Sequence, residues 1–270
     1  MTKQPDPRVV SRSFCHKLEC LEDFLKNYSS GKTVGGDCYL ELFAKFAQYK
    51  CRESGTIVPG LSDRVLTIKP RFRNYIFAMP DTLTRDNLPD KEVTIITGNV
   101  LYESVQRQIF DRIPRSSNIL CIIEPPGYRR LRWSVVTKLI TGGTSWQGYR
   151  MDMLMVLPLE NALFKNMGRT DCTNSINRFF GTQEWQDTAS DLANGQVSPS
   201  EARLKLVNLY AEKLRGEGYR HVEIFNPLRA DRIPPYFIIW ASDRDSRIRQ
   251  IKNIWQTPRF LPGEMFHKPL

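Results

Sequence analysis

Apolar positions along the chain follow two spacings. From His16 onward, Leu18, Leu21, Phe24, Leu25 and Tyr28 recur every three or four residues, and the run stops at Ser29, Ser30 and Gly31. That is the period of one helix face closed by breakers. Short blocks rich in β-branched and aromatic residues follow at 38–44, 74–79, 93–97, 118–124 and 152–157, most of them ended by proline or glycine. Such blocks read as strands. Between them, 65–68, 104–113 and 131–140 read as helical. Strands alternating with helices predict an α/β domain around a mostly parallel sheet.

Beyond Pro158 the pattern becomes helical over about 160–217, with breaks at Gly168, Gly181 and 195–200. Residues 220–228 and 236–242 read as two strands joined at 231–235, which pair antiparallel, and 247–255 reads as a last helix. The expected layout is an arm at 1–13, one domain at 14–256 with a helical insertion, and a tail at 257–270.

Composition narrows the class. The chain has 270 residues, 41% of them hydrophobic and 11% aromatic, enough to build a core and to exclude wholesale disorder. The apolar runs at 119–123 and 153–159 are far shorter than the ~18 residues that span a bilayer. The opening Met1-Thr-Lys-Gln-Pro-Asp-Pro7 has no apolar block of the signal-peptide kind, so the expectation is a cytoplasmic protein. The net charge of +10 permits a polyanionic partner without requiring one.

Six cysteines and three histidines are scattered, and only Cys15, His16 and Cys20 cluster. Their spacing puts the two thiols on different faces of a helix. Reduced cysteines packed as small hydrophobes, with no metal, are expected. Gly31-Lys32-Thr33 imitates the end of a phosphate-binding loop, but Lys26 stands where its first glycine belongs, and a helix precedes it instead of a strand.

In open α/β sheets, ligands bind at the strand carboxyl ends. One of those ends reads Glu124-Pro125-Pro126-Gly127-Tyr128. Enzymes that methylate exocyclic amines place an acid or amide followed by Pro-Pro and an aromatic ring at this point. The side chain and a backbone carbonyl accept the amine hydrogens, and the ring stacks on the flipped base. A rigid strand-ending turn explains the same residues without chemistry. Arg129, Arg130, Arg132 and Trp133 follow directly, within a segment (107–132) of local charge +4; residues 203–260 carry +6. Guanidinium and indole groups beside a cleft suit phosphates and stacked bases. A solvated basic face, or a surface for an acidic protein, is the alternative.

The order of segments resembles the three-Cys-motif partner family, bacterial proteins with a fold like class I S-adenosylmethionine (SAM)-dependent methyltransferases. The resemblance covers about 14–255. It rests on His16-Lys17-Leu18 with Leu21, Phe24 and Leu25; on Tyr39-Leu-Glu-Leu-Phe-Ala44; and on Thr97-Gly98-Asn99-Val100 and Ile122-Ile-Glu-Pro-Pro-Gly127. The later blocks are Phe179-Phe-Gly-Thr with Trp185, and Tyr236-Phe-Ile-Ile-Trp-Ala-Ser242.

The resemblance implies a Rossmann-like methyltransferase fold, a mostly parallel seven-stranded sheet with a C-terminal antiparallel hairpin and a helical insertion. It implies SAM across Glu41, Phe43, Ala44, Asp81 and Asn99, and an acceptor placed by Glu124, Pro125, Pro126 and Tyr128. A protein partner, docked on the insertion that the sheet does not itself need, and a nucleic-acid substrate complete the expectation. The cofactor region departs from the pattern. Lys45 and Phe46 stand where small glycines belong, and Met79 replaces the acid that binds the ribose hydroxyls, with Asp81 nearby. These departures imply weak SAM binding. They also raise a second reading, a non-catalytic scaffold that keeps the fold and the basic surface.

Overall fold

Strand β2 (Asp37–Leu42) is buried at all six positions, as a strand must be when helices cover both faces of a parallel sheet. The computed structural model describes residues 6–30, 37–80, 92–114, 117–144, 148–159, 163–227, 237–248, 251 and 260–262. Before β2 come a short strand β1 (Arg8–Val10) and helix α1 (Arg12–Ser30). After it come β3 (Gln48–Cys51), β4 (Ile57–Pro59), α2 (Leu61–Val65), β5 (Asn74–Met79) and β6 (Val93–Thr97). Helix α3 (Glu103–Arg112), β7 (Asn118–Ile123), α4 (Trp133–Gly142) and β8 (Asp152–Leu157) follow. The helical stretch holds α5 (Phe164–Asn166), α6 (Thr173–Phe180), α7 (Trp185–Ala193) and α8 (Pro199–Gly216). Strands β9 (His221–Pro227), β10 (Phe237–Ser242) and β11 (Phe260–Pro262) close the chain.

The main sheet runs β11-β9-β10-β8-β7-β2-β5-β6. The five central strands β8, β7, β2, β5 and β6 are parallel. Strand β10 pairs antiparallel with both β8 and β9. This is the expected Rossmann-like α/β sheet, with one more edge strand than expected, because β11 lies in the segment read as a tail. The turn expected at 231–235 and the phosphate-loop imitation at 31–33 lie outside the described residues.

Three features differ from the sequence reading. Part of the arm, Arg8–Val10, is a strand: β1 pairs parallel with β3, which pairs antiparallel with β4, making a second small sheet. Its strands are short, and half their positions face solvent, so their alternation is faint in the sequence. The helix expected at 65–68 is α2, one turn earlier. The expectation of six reduced cysteines is corrected as well, since Cys15 in α1 and Cys51 in β3 form a disulfide that ties the small sheet to α1. Cys20, Cys38, Cys121 and Cys172 are buried and form no disulfide.

Alternation along the strands divides the core in two. Cys38, Leu40 and Leu42 of β2 pack with α3, α4, α6 and α8 on one face. Tyr39 packs with Leu21, Phe24 and Leu25 of α1 and Val65 of α2 on the other. The helical stretch is therefore one layer of the domain. Phe179, Phe180, Trp185, Tyr210 and Leu214 are buried in the same cluster as β2, β7 and β8. The expectation of a dispensable insertion is corrected, because removing it would uncover that face. Helix α8 begins with a capping box between Ser198 and Glu201 and has Pro199 in its first turn, a local start signal that needs no tertiary help. Helix α6 ends at Gly181, whose φ of 67° is left-handed, and a Cβ there would lie 2.5 Å from Trp133. Only glycine meets both demands.

At the amino ends of the parallel strands lies a buried ionic network. Arg247 donates to Asp37 at the start of β2 (2.9 Å) and to the Tyr28 carbonyl (2.9 Å). Arg244 pairs with Asp152 at the start of β8, and the Tyr28 hydroxyl donates to the same carboxylate (2.7 Å). The Arg247 guanidinium also lies 3.8 Å from the centre of the Tyr28 ring. Two arginines thus meet two aspartates, and charge balances inside the fold.

Candidate functional site

The carboxyl ends of β2, β5, β6 and β7 meet at the opposite edge, where the strand order reverses and open α/β sheets bind their ligands. A cavity of about 450 Å³ opens there. Phe43 bounds it from β2, Met79 and Pro80 from β5, Gly98, Asn99 and Val100 from β6, and Pro126 and Arg130 from the turn after β7.

Phe43 has a left-handed backbone, φ 66°. Phe43 thus holds a conformation that favours glycine while carrying a phenyl side chain. Such a backbone costs about 1–2 kcal/mol in a residue with a Cβ. Beyond Phe43 the chain runs into β3 instead of a helix, so no helix start faces the cavity from β2. Lys45 is exposed, and its amide donates to Ser62 Oγ (2.9 Å). Phe46 packs edge-on against Phe77, 4.9 Å between centroids, in the α1-side core. Neither lines the cavity, so the obstruction expected from Lys45 and Phe46 is corrected: the aromatic residue on that wall is Phe43.

The other expected cofactor residues divide. Asn99 is on the cavity wall, its Oδ1 accepting from the Leu101 amide (3.0 Å). Glu41 and Ala44 are not on it. Ala44 is fully buried, and its amide donates to the Ala78 carbonyl (2.9 Å). Glu41 faces the α1 side, where its carboxyl accepts from Tyr39 Oη (2.9 Å) and Ser62 Oγ (2.9 Å). Burial pushes its pKa up to about 8. Both follow from strand parity: Tyr39 and Glu41 share a face of β2, and a side chain on that face enters the core, not the edge. Asp81 lies outside the described residues. Met79 stands on the wall, as expected, and is 1% exposed.

The acceptor set is arranged differently from expectation. Glu124 leaves β7 toward α1 and pairs with the ammonium of Lys17, which is 3% exposed and lies 4.1 Å from the Phe14 ring centre. Lys17 stands in the His16-Lys17-Leu18 block, a helix start with no expected role at the site, and the structure makes it the partner of Glu124. Pro125 is buried, and Pro126 is exposed on the cavity wall. Tyr128 is 1% exposed, edge-on to Phe179, with its hydroxyl accepting from Arg129 Nε (3.1 Å). A ring so covered cannot stack on a base. Trp133 is corrected in the same way: it is buried at the start of α4, 5.1 Å from Tyr210 and capped by Lys213. Indoles are large apolar groups first, and here the core claims it. Arg129, Arg130 and Arg132 are exposed.

A second, open hollow of about 640 Å³ adjoins the first and shares Pro126 and Arg130 with it. Among the described residues, no group of three or more His, Cys, Asp or Glu side chains is placed to hold a metal ion, and no helix is long and apolar enough to cross a membrane.

No family model matches the chain, and no curated protein matches it. Among solved structures, a crystal structure of a Legionella pneumophila protein assigned to the family model DUF519 is similar. Its TM-score is 0.43 at 10% identity, with 93% of each chain covered. At that distance the likeness carries no functional argument.

Proposed function

We propose that the chain is a ligand-binding protein on a methyltransferase-like fold, of the three-Cys-motif partner kind, in which the cofactor cavity is retained but remodelled. One observation carries the reading: the strand-end acid Glu124 is neutralised by buried Lys17, while the neighbouring Tyr128 ring is covered. An acceptor amine would have to displace an ammonium already in place and would find no ring to rest on. The described wall also fits SAM poorly. It offers Met79 to the ribose hydroxyls, and Phe43 where the backbone should come close. Asn99 remains to meet a nucleobase edge. Cavity size and the Asn99 carboxamide support a nucleoside-type occupant, and the net charge of +10 supports a polyanionic or acidic protein partner.

Amine methylation is the second reading, favoured by the rigid Pro125-Pro126 strand end beside Asn99. Calorimetric titration with SAM separates the two. The expected dissociation constant is tens of micromolar or weaker, roughly −6 kcal/mol or less favourable. The double substitution Phe43→Gly with Met79→Glu is expected to tighten it at least tenfold. Sub-micromolar binding by the unaltered chain would restore the enzyme.

A further inference from the structure

The hollow beside the cavity is built from two distant segments. The turn Tyr128–Arg130 forms one wall, and Asn166 through Asp171, between α5 and α6, forms the other. Three guanidinium groups converge on it, from Arg129, Arg130 and Arg169. Its one carboxylate, Asp171, is held by Arg169 through two hydrogen bonds of 2.9 and 3.1 Å, which keep its pKa below the usual carboxylate range. Asp171 is therefore already answered and does not cancel the other two.

Arg129 is fixed on two sides. Its Nε donates to Tyr128 Oη (3.1 Å), and one terminal nitrogen donates to Cys172 Sγ (3.1 Å). The remaining donors of that planar group keep a set direction. Arg130 is exposed and has no carboxylate partner among the described residues, and it lies on the walls of both the hollow and the cavity. A pre-oriented guanidinium beside an unpaired one is the arrangement that recognises tetrahedral oxyanions.

We propose that this hollow is a phosphate-binding subsite for a nucleotide. The base and sugar would enter the apolar cavity past Asn99, and the phosphate would rest between Arg129 and Arg130. The shared wall of Pro126 and Arg130 sets the two parts side by side. The proposal goes beyond the reading given above, since it does not depend on whether SAM enters the cavity.

The test titrates the full chain with adenosine, adenosine monophosphate and a single-stranded ten-nucleotide DNA, at 50 and 200 mM salt. The monophosphate should bind at least tenfold tighter than adenosine at low salt. That advantage should vanish in Arg130→Gln and survive in Arg130→Lys, with unchanged thermal transitions in both. DNA binding tighter than the monophosphate, with a steep loss at high salt, would identify a strand as the source of the phosphate. Equal or weaker DNA binding would identify a free nucleotide. Equal affinity for adenosine and its monophosphate, or a phosphate advantage that survives Arg130→Gln, overturns the subsite. Failure of SAM binding leaves this result unaffected, so the two readings fail separately.

Discussion

The two edges of the main sheet use the same side chains to opposite ends. At the amino edge, Arg244 and Arg247 are buried, and each meets an aspartate at the first position of a strand. At the carboxyl edge, Arg130 is exposed with no acid opposite it among the described residues, and Arg129 is steadied by a phenol and a thiol in place of a carboxylate. A guanidinium paired and buried within the fold is out of a ligand's reach. One left unanswered costs little at the surface and keeps its affinity for something else. For these four arginines, the difference is whether a carboxylate is paired with each.

Substituting at both edges tests this contrast. Arg247→Ala leaves Asp37 buried without its cation, and breaking a buried pair costs about 3–5 kcal/mol. Urea denaturation should show a loss of that size, while Arg130→Ala should leave the curve unmoved. A loss below about 1 kcal/mol for Arg247→Ala would place the amino edge with ordinary surface pairs and dissolve the comparison.

Glu41 gives the next effect. It is a buried acid under the carboxyl edge, and burial raises its pKa to about 8, above the ordinary carboxylate range. A carboxyl whose pKa is higher in the folded state than in the unfolded chain favours folding below its unfolded pKa. That contribution fades as pH rises toward the folded value. Stability should therefore fall between about pH 4.5 and pH 8, by a few kcal/mol at about 1.4 kcal/mol per unit. Glu41→Gln, uncharged throughout, should flatten that slope; an unchanged slope would assign the pH dependence elsewhere.

Phe43 gives the smallest change. Its left-handed backbone favours glycine over any residue with a Cβ. Phe43→Gly should therefore be about 1 kcal/mol more stable than Phe43→Ala, although both lose the same ring contacts. Equal stabilities would mean that the loop relaxes and stores no strain.

The sheet was legible because its strands are continuous apolar blocks closed by turn residues, as at 74–80 and 118–127. Local pattern and tertiary role agree there. The small sheet was not, because Gln48-Tyr49-Lys50-Cys51 carries only two buried positions. Asn99, Phe43 and Arg130 line the cavity because strand ends are edge positions whatever the side chain. Glu41, Tyr128 and Trp133 were misplaced because facing depends on strand parity and on what packs above. For Trp133, that is α6 and α8, far along the chain. Lys17 reaches Glu124, and Arg169 reaches the hollow, from separate elements, and no local spacing announces such meetings. The Cys15–Cys51 link was missed for the same reason, its two ends being 36 positions apart.

The amino-edge network also bears on synthesis. Its members are Tyr28, Asp37, Asp152, Arg244 and Arg247, so its acids leave the ribosome well before its arginines. At about 5–20 residues per second, some five to twenty seconds separate Asp152 from Arg244. Through that interval the strand starts at Asp37 and Asp152 have no cation to bury against and stay solvated. This edge is therefore expected to close only once Arg244 and Arg247 have been made, later than the strands on which it sits.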